Sequence, residues 1–223
     1  MNITYIHHSG FLVETDHFYY VFDYEKGDLP SLNIEKTIYV LSSHSHGDHY
    51  NEKIFSLLKS MGMKHIKAIL SDDINIPEDI NILSVSPYHS YELTHNLKLT
   101  TFKSTDLGVA FLIEDNGKLI YHAGDLNDWV WDDESEEYNK QMTIDYHHEI
   151  DLLSKQLNNK EIDVAFVVLD PRQEQDYARG ICYYMENIPS KIVYPMHYWD
   201  QPAIIEQFLN EYPQYIHQIY KTE

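Results

Sequence analysis

Apolar and polar positions alternate in short blocks along this chain, and the first blocks predict strands. ITYIHHSGFLVET and the following HFYYVFDYE are rich in β-branched and aromatic residues, which predicts two strands joined by a turn at Asp16. TIYVLSS, residues 37–43, reads as a short apolar strand. NEKIFSLLKSMG reads as a helix with Asn51 as its cap, Ile54, Leu57 and Leu58 as its apolar stripe, and Gly62 as its stop. KHIKAILSDD and INILSVSP predict further strands, and so do LKLTTFKST, GVAFLIED and GKLIYHAG. Asn116-Gly117 between two apolar runs predicts a tight hairpin. In the acidic stretch from Asp128 to Lys160 the first half reads as a loop or lid. The second half carries Ile144, Ile150, Leu153 and Leu157 at helical intervals. IDVAFVVLDP is a buried strand closed by Pro171, EQDYARGICYYMENI a helix, KIVYPMH a strand and PAIIEQFLNEY a last helix. Strands first, then strands and helices in alternation, predict a layered α/β domain with helices outside two sheets.

Composition narrows the setting. The chain has 223 residues, 43% of them hydrophobic, enough for one large domain over residues 1–223. No apolar run approaches the roughly 20 residues of a membrane span, so no membrane partner is expected. The opening MNITYIHHSGFLVETD lacks a basic segment followed by an apolar stretch, and no signal peptide is expected. Cys182 is the single cysteine, which excludes an intrachain disulfide and fits a reducing, cytoplasmic setting. The formal net charge of -20 repels a polyanion, which argues against nucleic acid as a partner and for a small-molecule substrate. Oligomeric state is not legible.

The chemistry concentrates in HSHGDH, where His44, His46, Asp48 and His49 lie between a predicted strand end and a predicted helix start. A chain that turns there projects several imidazoles and a carboxylate into one small volume. That donor mixture suits a divalent metal, zinc first, with manganese or iron also suited. Gly47 is expected to supply a backbone angle that a bulkier residue would resist.

HSHGDH resembles the HxHxDH signature of the metallo-β-lactamase superfamily. IYHAGDLN resembles that superfamily's later Gly-Asp motif, and VYPMHYW its last motif, where a strand ends at a histidine. YIHHSGFLVET, STDLGVAFLIE and LDPRQEQDYARG resemble the metal-dependent hydrolase branch. The matches run in order from the first ten residues to about residue 200. The resemblance implies an αββα sandwich of two mixed sheets with one or two metal ions at one edge. It implies that His44 and His46 hold one ion, that Asp48, His49 and His197 hold a second, and that Asp125 bridges them. A water between the ions would ionise near neutral pH and attack a small ester, amide, lactone or phosphodiester. Asp48 would also orient this nucleophile, with His8 and Tyr198 as candidates to protonate or bind the leaving side. A nuclease of the same superfamily, or a non-hydrolytic metal-binding or redox protein, are the alternatives.

One histidine of the pattern is absent. The stretch matching its position is Lys103-Ser104-Thr105-Asp106-Leu107-Gly108, where Asp106, and less directly Ser104, can coordinate instead. His89, His95 and His122 are other routes, though strand parity sets His122 opposite Asp125. Asp23 resembles an acid that orients a ligand, and is equally an ordinary strand-end aspartate. Trp129, Trp131 and Trp199 suit either pocket walls or core packing. Arg172 can meet an anionic substrate group or pair with an acid. Cys182 reads as core, and His147 and His148 as solvated.

Overall fold

Strand alternation organises the chain twice over. The computed structural model describes residues 1–75 and 81–221, which fall into two compact units, Met1–Ser86 and Pro87–Glu223. Each is built on one mixed six-stranded sheet with helices, so the chain has the α/β class its patterning predicts.

In the first unit β1 (Asn2–His7), β2 (Gly10–Glu14), β3 (Phe18–Phe22), β4 (Thr37–Ser42), β5 (His65–Ser71) and β6 (Ile82–Val85) lie in that order across the sheet. β1 to β3 pair antiparallel, and β3 to β6 pair parallel. Residues two apart share a face. Leu12, Tyr19, Val21, Ile38, Val40, Ala68 and Leu70 therefore meet helix α1 (Lys53–Ser60) through its Ile54, Phe55 and Leu58. Each such aliphatic side chain contributes about 1.5–3 kcal/mol on burial. The alternate residues, among them Phe11, Tyr20, Phe22, Tyr39 and Leu41, are buried too, which explains why these strands read as continuous apolar runs.

Two expectations change here. ITYIHHSGFLVET forms two strands, not one: His8 adopts a φ of 53°, and its N–H donates to the Tyr5 hydroxyl at 2.9 Å, which breaks the run into a hairpin. Asn51 is one residue too early to be the formal cap of α1, yet its Oδ1 still accepts from the Lys53 N–H at 3.1 Å. Ile80, the first residue of the predicted strand INILSVSP, lies outside the described residues.

In the second unit β7 (Ser90–Thr94), β8 (Leu97–Lys103), β9 (Val109–Asp115) and β10 (Lys118–His122) form an antiparallel meander. β11 (Val164–Val168) and β12 (Val193–Met196) extend it in parallel. The predicted hairpin is present: Asp115 pairs with Lys118, with Asn116 and Gly117 at φ 49° and 80°. Helix α2 (Glu136–Leu157) starts earlier than expected, so much of the acidic stretch is helical. Ser135 caps it, and Glu136 and Glu137 sit at the positive end of its dipole. Ile144 lies on its exposed side, and the buried stripe runs through Tyr146, Glu149, Ile150, Leu153 and Leu157.

The helix predicted over EQDYARGICYYMENI divides into a 3₁₀ segment, Pro171–Asp176, and α3 (Arg179–Asn187). Tyr184 of α3 stacks on Tyr121 of β10 at 5.6 Å, and the Tyr146 hydroxyl donates to the Gly180 carbonyl at 2.7 Å. Gly180 is glycine for lack of room: a Cβ there would stand 1.8 Å from Asn127 Oδ1. Helix α4 (Ala203–Glu211) follows β12 and buries Ile204, Ile205, Phe208 and Leu209. Among the described residues no helix is long and apolar enough to cross a membrane.

Candidate metal centre

Each unit presents part of the predicted donor set, and each uses the same local device. Two neighbouring parallel strands end side by side. In each, a buried aspartate just past the end of the first strand holds Nδ1 of a histidine that follows the second, directly in one unit and at the far end of a turn in the other.

In the first unit the pair is β3 and β4. Asp23 follows β3 with a φ of 40° and is fully buried. Its carboxylate accepts from the Ser43 N–H and the Ser43 hydroxyl, both at 2.7 Å, and lies 2.8 Å from His49 Nδ1. The turn after β4 is pinned from its other flank by Asp73, which accepts from the Ser45 N–H at 2.8 Å. Burial works against the Asp73 carboxylate, but hydrogen bonds from Ser71 and Ser45 outweigh it and hold the group below its usual value. Gly47 does not have the role expected of it: its φ is not positive, and a Cβ there would meet nothing within 4 Å.

Hydrogen-bond logic fixes the imidazole tautomers. The Ser43 hydroxyl spends its proton on Asp23, so it accepts from His44 Nδ1 at 3.0 Å. His49 Nδ1 likewise donates to Asp23. Both rings keep Nε2 as the lone-pair atom, the form a metal requires. His44 Nε2 and His46 Nδ1 stand 3.0 Å apart, a separation that two ligands of one ion could have. His8, Asp48 and His49 make a second group, with ligand atoms within 4.8 Å of one another. His8 Nε2 is 3.5 Å from Asp48 Oδ2. Burial opposes the Asp48 charge, but the His8 hydrogen bond and the nearby His49 hold it well below the usual carboxylate range. His7 points to Glu25, 2.8 Å from its Nδ1.

In the second unit the pair is β11 and β12. His197 follows β12 at a φ of 66°, with its Nδ1 2.9 Å from Asp170 Oδ2 and its Nε2 3.4 Å from Asp125 Oδ1. Asp170 is fully buried and also binds Arg172 through Nε and Nη2. Its burial raises its pKa, but His197 and Arg172 prevail and bring it to about 2. Asp125 lies past β10, beyond Gly124 at a φ of 54°. The Trp129 indole N–H donates to the Asp125 carbonyl at 2.8 Å. Asp106 stands on the turn after β8, its carboxylate within 4.8 Å of that of Asp125. The two loops are tied by Thr105: its hydroxyl donates to the Asn127 carbonyl at 2.6 Å and accepts from the Asn127 N–H at 3.0 Å.

Ser104 instead supports this turn, accepting from the Asp106 N–H at 3.1 Å. Among the described residues His89, His95 and His122 join no donor group. His122 is buried beside Phe166, and its Nδ1 accepts from the Gly124 N–H at 3.1 Å. Asp106, Asp125, Thr105, Trp129, Trp131 and Arg172 line a cavity of about 140 Å³, together with Tyr138 and Met142. Tyr198 is buried and is not part of that lining. His147 is half-buried and stacks on Tyr183 at 3.6 Å, so it is not simply solvated. Burial pushes the Cys182 thiol up to about 11, which leaves it no thiolate at neutral pH.

Asp170 had no role in the reading of the sequence. Its signal was LDP after an apolar strand, the counterpart of the aspartate in YVFDYE. Both aspartates sit behind a histidine, which only strand neighbours reveal.

Comparison with known proteins places the chain in a family. A family model described as "Beta-lactamase superfamily domain" matches residues 2–197. No curated protein matches the chain. Among solved structures, Igni18, a metallo hydrolase from the hyperthermophilic archaeon Ignicoccus hospitalis, is similar with a TM-score of 0.68 at 17% identity, over 99% of this chain and 94% of that one. The metallo-β-lactamase fold protein YhfI from Bacillus subtilis is similar with a TM-score of 0.59 at 13% identity, over 97% and 89%. CmlA, a diiron β-hydroxylase from Streptomyces venezuelae, is similar with a TM-score of 0.61 at 10% identity, over 97% and 52%. At these identities the likeness is one of fold.

Proposed function

The chain belongs to the metallo-β-lactamase superfamily, and from that premise we propose that it is a metal-dependent hydrolase of a small ester, amide, lactone or phosphodiester. The supporting observation is the pair of histidines, His49 and His197, each with Nδ1 held by a buried aspartate and Nε2 turned toward a further carboxylate of the donor set, Asp48 at 4.0 Å and Asp125 at 3.4 Å. In this reading His44, His46, Asp106 and Asp125 hold one divalent ion, and Asp48, His49, His197 and Asp125 a second, with His8 beside the second group.

Divalent ions held there would lower the pKa of a water toward neutrality and polarise a carbonyl or phosphoryl oxygen. The rest of the work falls to the protein. Asp23 and Asp170 fix two imidazoles in one tautomer and orientation. Asp48, kept ionised, accepts a hydrogen bond from the attacking water and aims it. His8, 3.5 Å from Asp48, takes part in proton transfer on that side. Trp129 and Trp131 exclude bulk solvent from the cavity.

The net charge of -20 supports a small molecule over nucleic acid as the partner. The lone cysteine, which can form no intrachain disulfide, supports residence in a reducing cytoplasm. Zinc is the first expectation for the ions. A second reading, redox chemistry at iron or manganese, draws support from Asp106, because a carboxylate in place of an imidazole makes the donor set harder.

Metal stoichiometry combined with a panel of lactone, thioester and phosphodiester substrates tests the proposal. Zinc- or manganese-dependent turnover supports hydrolysis. Iron retention without turnover on any of the panel supports the redox reading.

A further inference from the structure

All three tryptophans of the chain, Trp129, Trp131 and Trp199, gather at one place in the second unit. Trp129 and Trp131 stack in parallel at 5.8 Å. The Arg172 guanidinium lies 5.7 Å from the Trp131 ring and 4.5 Å from that of Trp199. Its Nε and Nη2 bind Asp170, and the Trp199 indole N–H donates to the same carboxylate at 3.3 Å. Arg172 is therefore fixed on three sides, by two ring faces and a buried carboxylate, and its remaining edge, Nη1, is left for a ligand. The side chain is 46% exposed and lines the cavity that Asp106 and Asp125 also line.

We propose that Arg172 determines specificity, and that the substrate is a small organic anion with a flat body. This rests on the hydrolase reading and narrows it. The flat part lies against Trp129 and Trp131. A carboxylate or phosphate group meets Nη1 of Arg172 through charge-assisted hydrogen bonds. The bond to be cleaved faces Asp106 and Asp125. Paired through Nε and Nη2 with Asp170, Arg172 still offers an anion its Nη1 donor edge on a cavity wall that also carries Asp106 and Asp125. The volume of about 140 Å³ falls below the roughly 300–1,000 Å³ of cavities that take drug-sized ligands, and so selects a small molecule. The planar guanidinium stacks on indole as an ammonium does not, so lysine is a poor substitute.

Intrinsic tryptophan fluorescence reports on this site alone, because the chain has no tryptophan elsewhere. The full chain, loaded with zinc, is titrated with benzoate, phenyl phosphate and the neutral benzamide. Both anions are expected to quench or shift the emission saturably, with benzamide weaker by about tenfold or more. Arg172→Gln is expected to abolish the preference for anions. If circular dichroism shows that Arg172→Gln does not fold, Arg172→Lys carries the test and is expected to weaken both anions but not benzamide. Equal binding of benzoate and benzamide by the wild type overturns the proposal, as does anion binding unchanged by the substitution. Titration of chelator-treated protein separates the two claims. An anion preference lost with the metal but indifferent to Arg172 overturns this one alone. An anion preference that follows Arg172 in a protein that retains no metal upholds it against a failed hydrolase reading.

Discussion

Asp170 shows how much one side chain can organise. It orients His197, anchors Arg172 and accepts from the indole of Trp199, all without exposure to solvent. Asp170→Asn should lower zinc affinity by about 10–100-fold, the usual effect of losing a carboxylate behind a metal-binding histidine, read by competition with a chromophoric chelator. It should also change the acid limb of stability. The folded value of about 2 lies below the ~3.9 of an aspartate in an unfolded chain, so folding favours the ionised form. That contribution, on the order of 2 kcal/mol, is complete above about pH 4 and is lost as the pH falls through about 2. In metal-free protein the urea midpoints of wild type and Asp170→Asn should therefore converge over that window; a constant gap would contradict the assignment. HSHGDH was legible in the sequence because its donors are sequence neighbours. Asp170 was not, because the two partners that tie it to the site, His197 and Trp199, lie 27 and 29 residues away and meet it only through strand pairing.

At the scale of elements, the parallel pairs β3/β4 and β11/β12 do in each unit what the HSHGDH turn cannot do alone. They set a buried carboxylate past one strand against a histidine in the segment that follows its neighbour. The hairpin at Asn116-Gly117 was legible because a two-residue turn has a local code. The break at His8 was not, since it depends on the Tyr5 hydroxyl rather than on a turn residue. Ile144 misled because it is apolar but off the three-and-four spacing of Ile150, Leu153 and Leu157, a spacing that Tyr146 keeps. Helix α3 bears on the site through Gly180, whose missing Cβ leaves room for Asn127. Asn127 is held by Gln173 at 2.7 Å and pairs with Thr105 beside Asp106. Gly180→Ala should cost about 1–3 kcal/mol as overpacking, measured by urea denaturation, and should weaken metal retention as the Asp106 turn shifts. Full retention would show that the Asn127–Thr105 tie does not position Asp106.

For the whole molecule, charge and the metal centre decide between functions. With a net charge of -20, single-stranded RNA should show no measurable binding at about 0.15 M salt in a filter or polarisation assay. Tight binding that falls steeply with salt would instead favour a nuclease. The order of strands and helices and the three motifs that resemble the superfamily's were legible from one end of the chain to the other, and the superfamily they pointed to is the one the family model matches. The substrate was not, since the wall made by Arg172 and three tryptophans assembles only in the fold. The most direct test of the account is metal content by elemental analysis after zinc loading and dialysis, for the wild type and for Asp125→Ala. The account predicts two zinc ions per chain in the wild type and a loss from both positions in the variant. Equal zinc in the two proteins, or none in either, would contradict it.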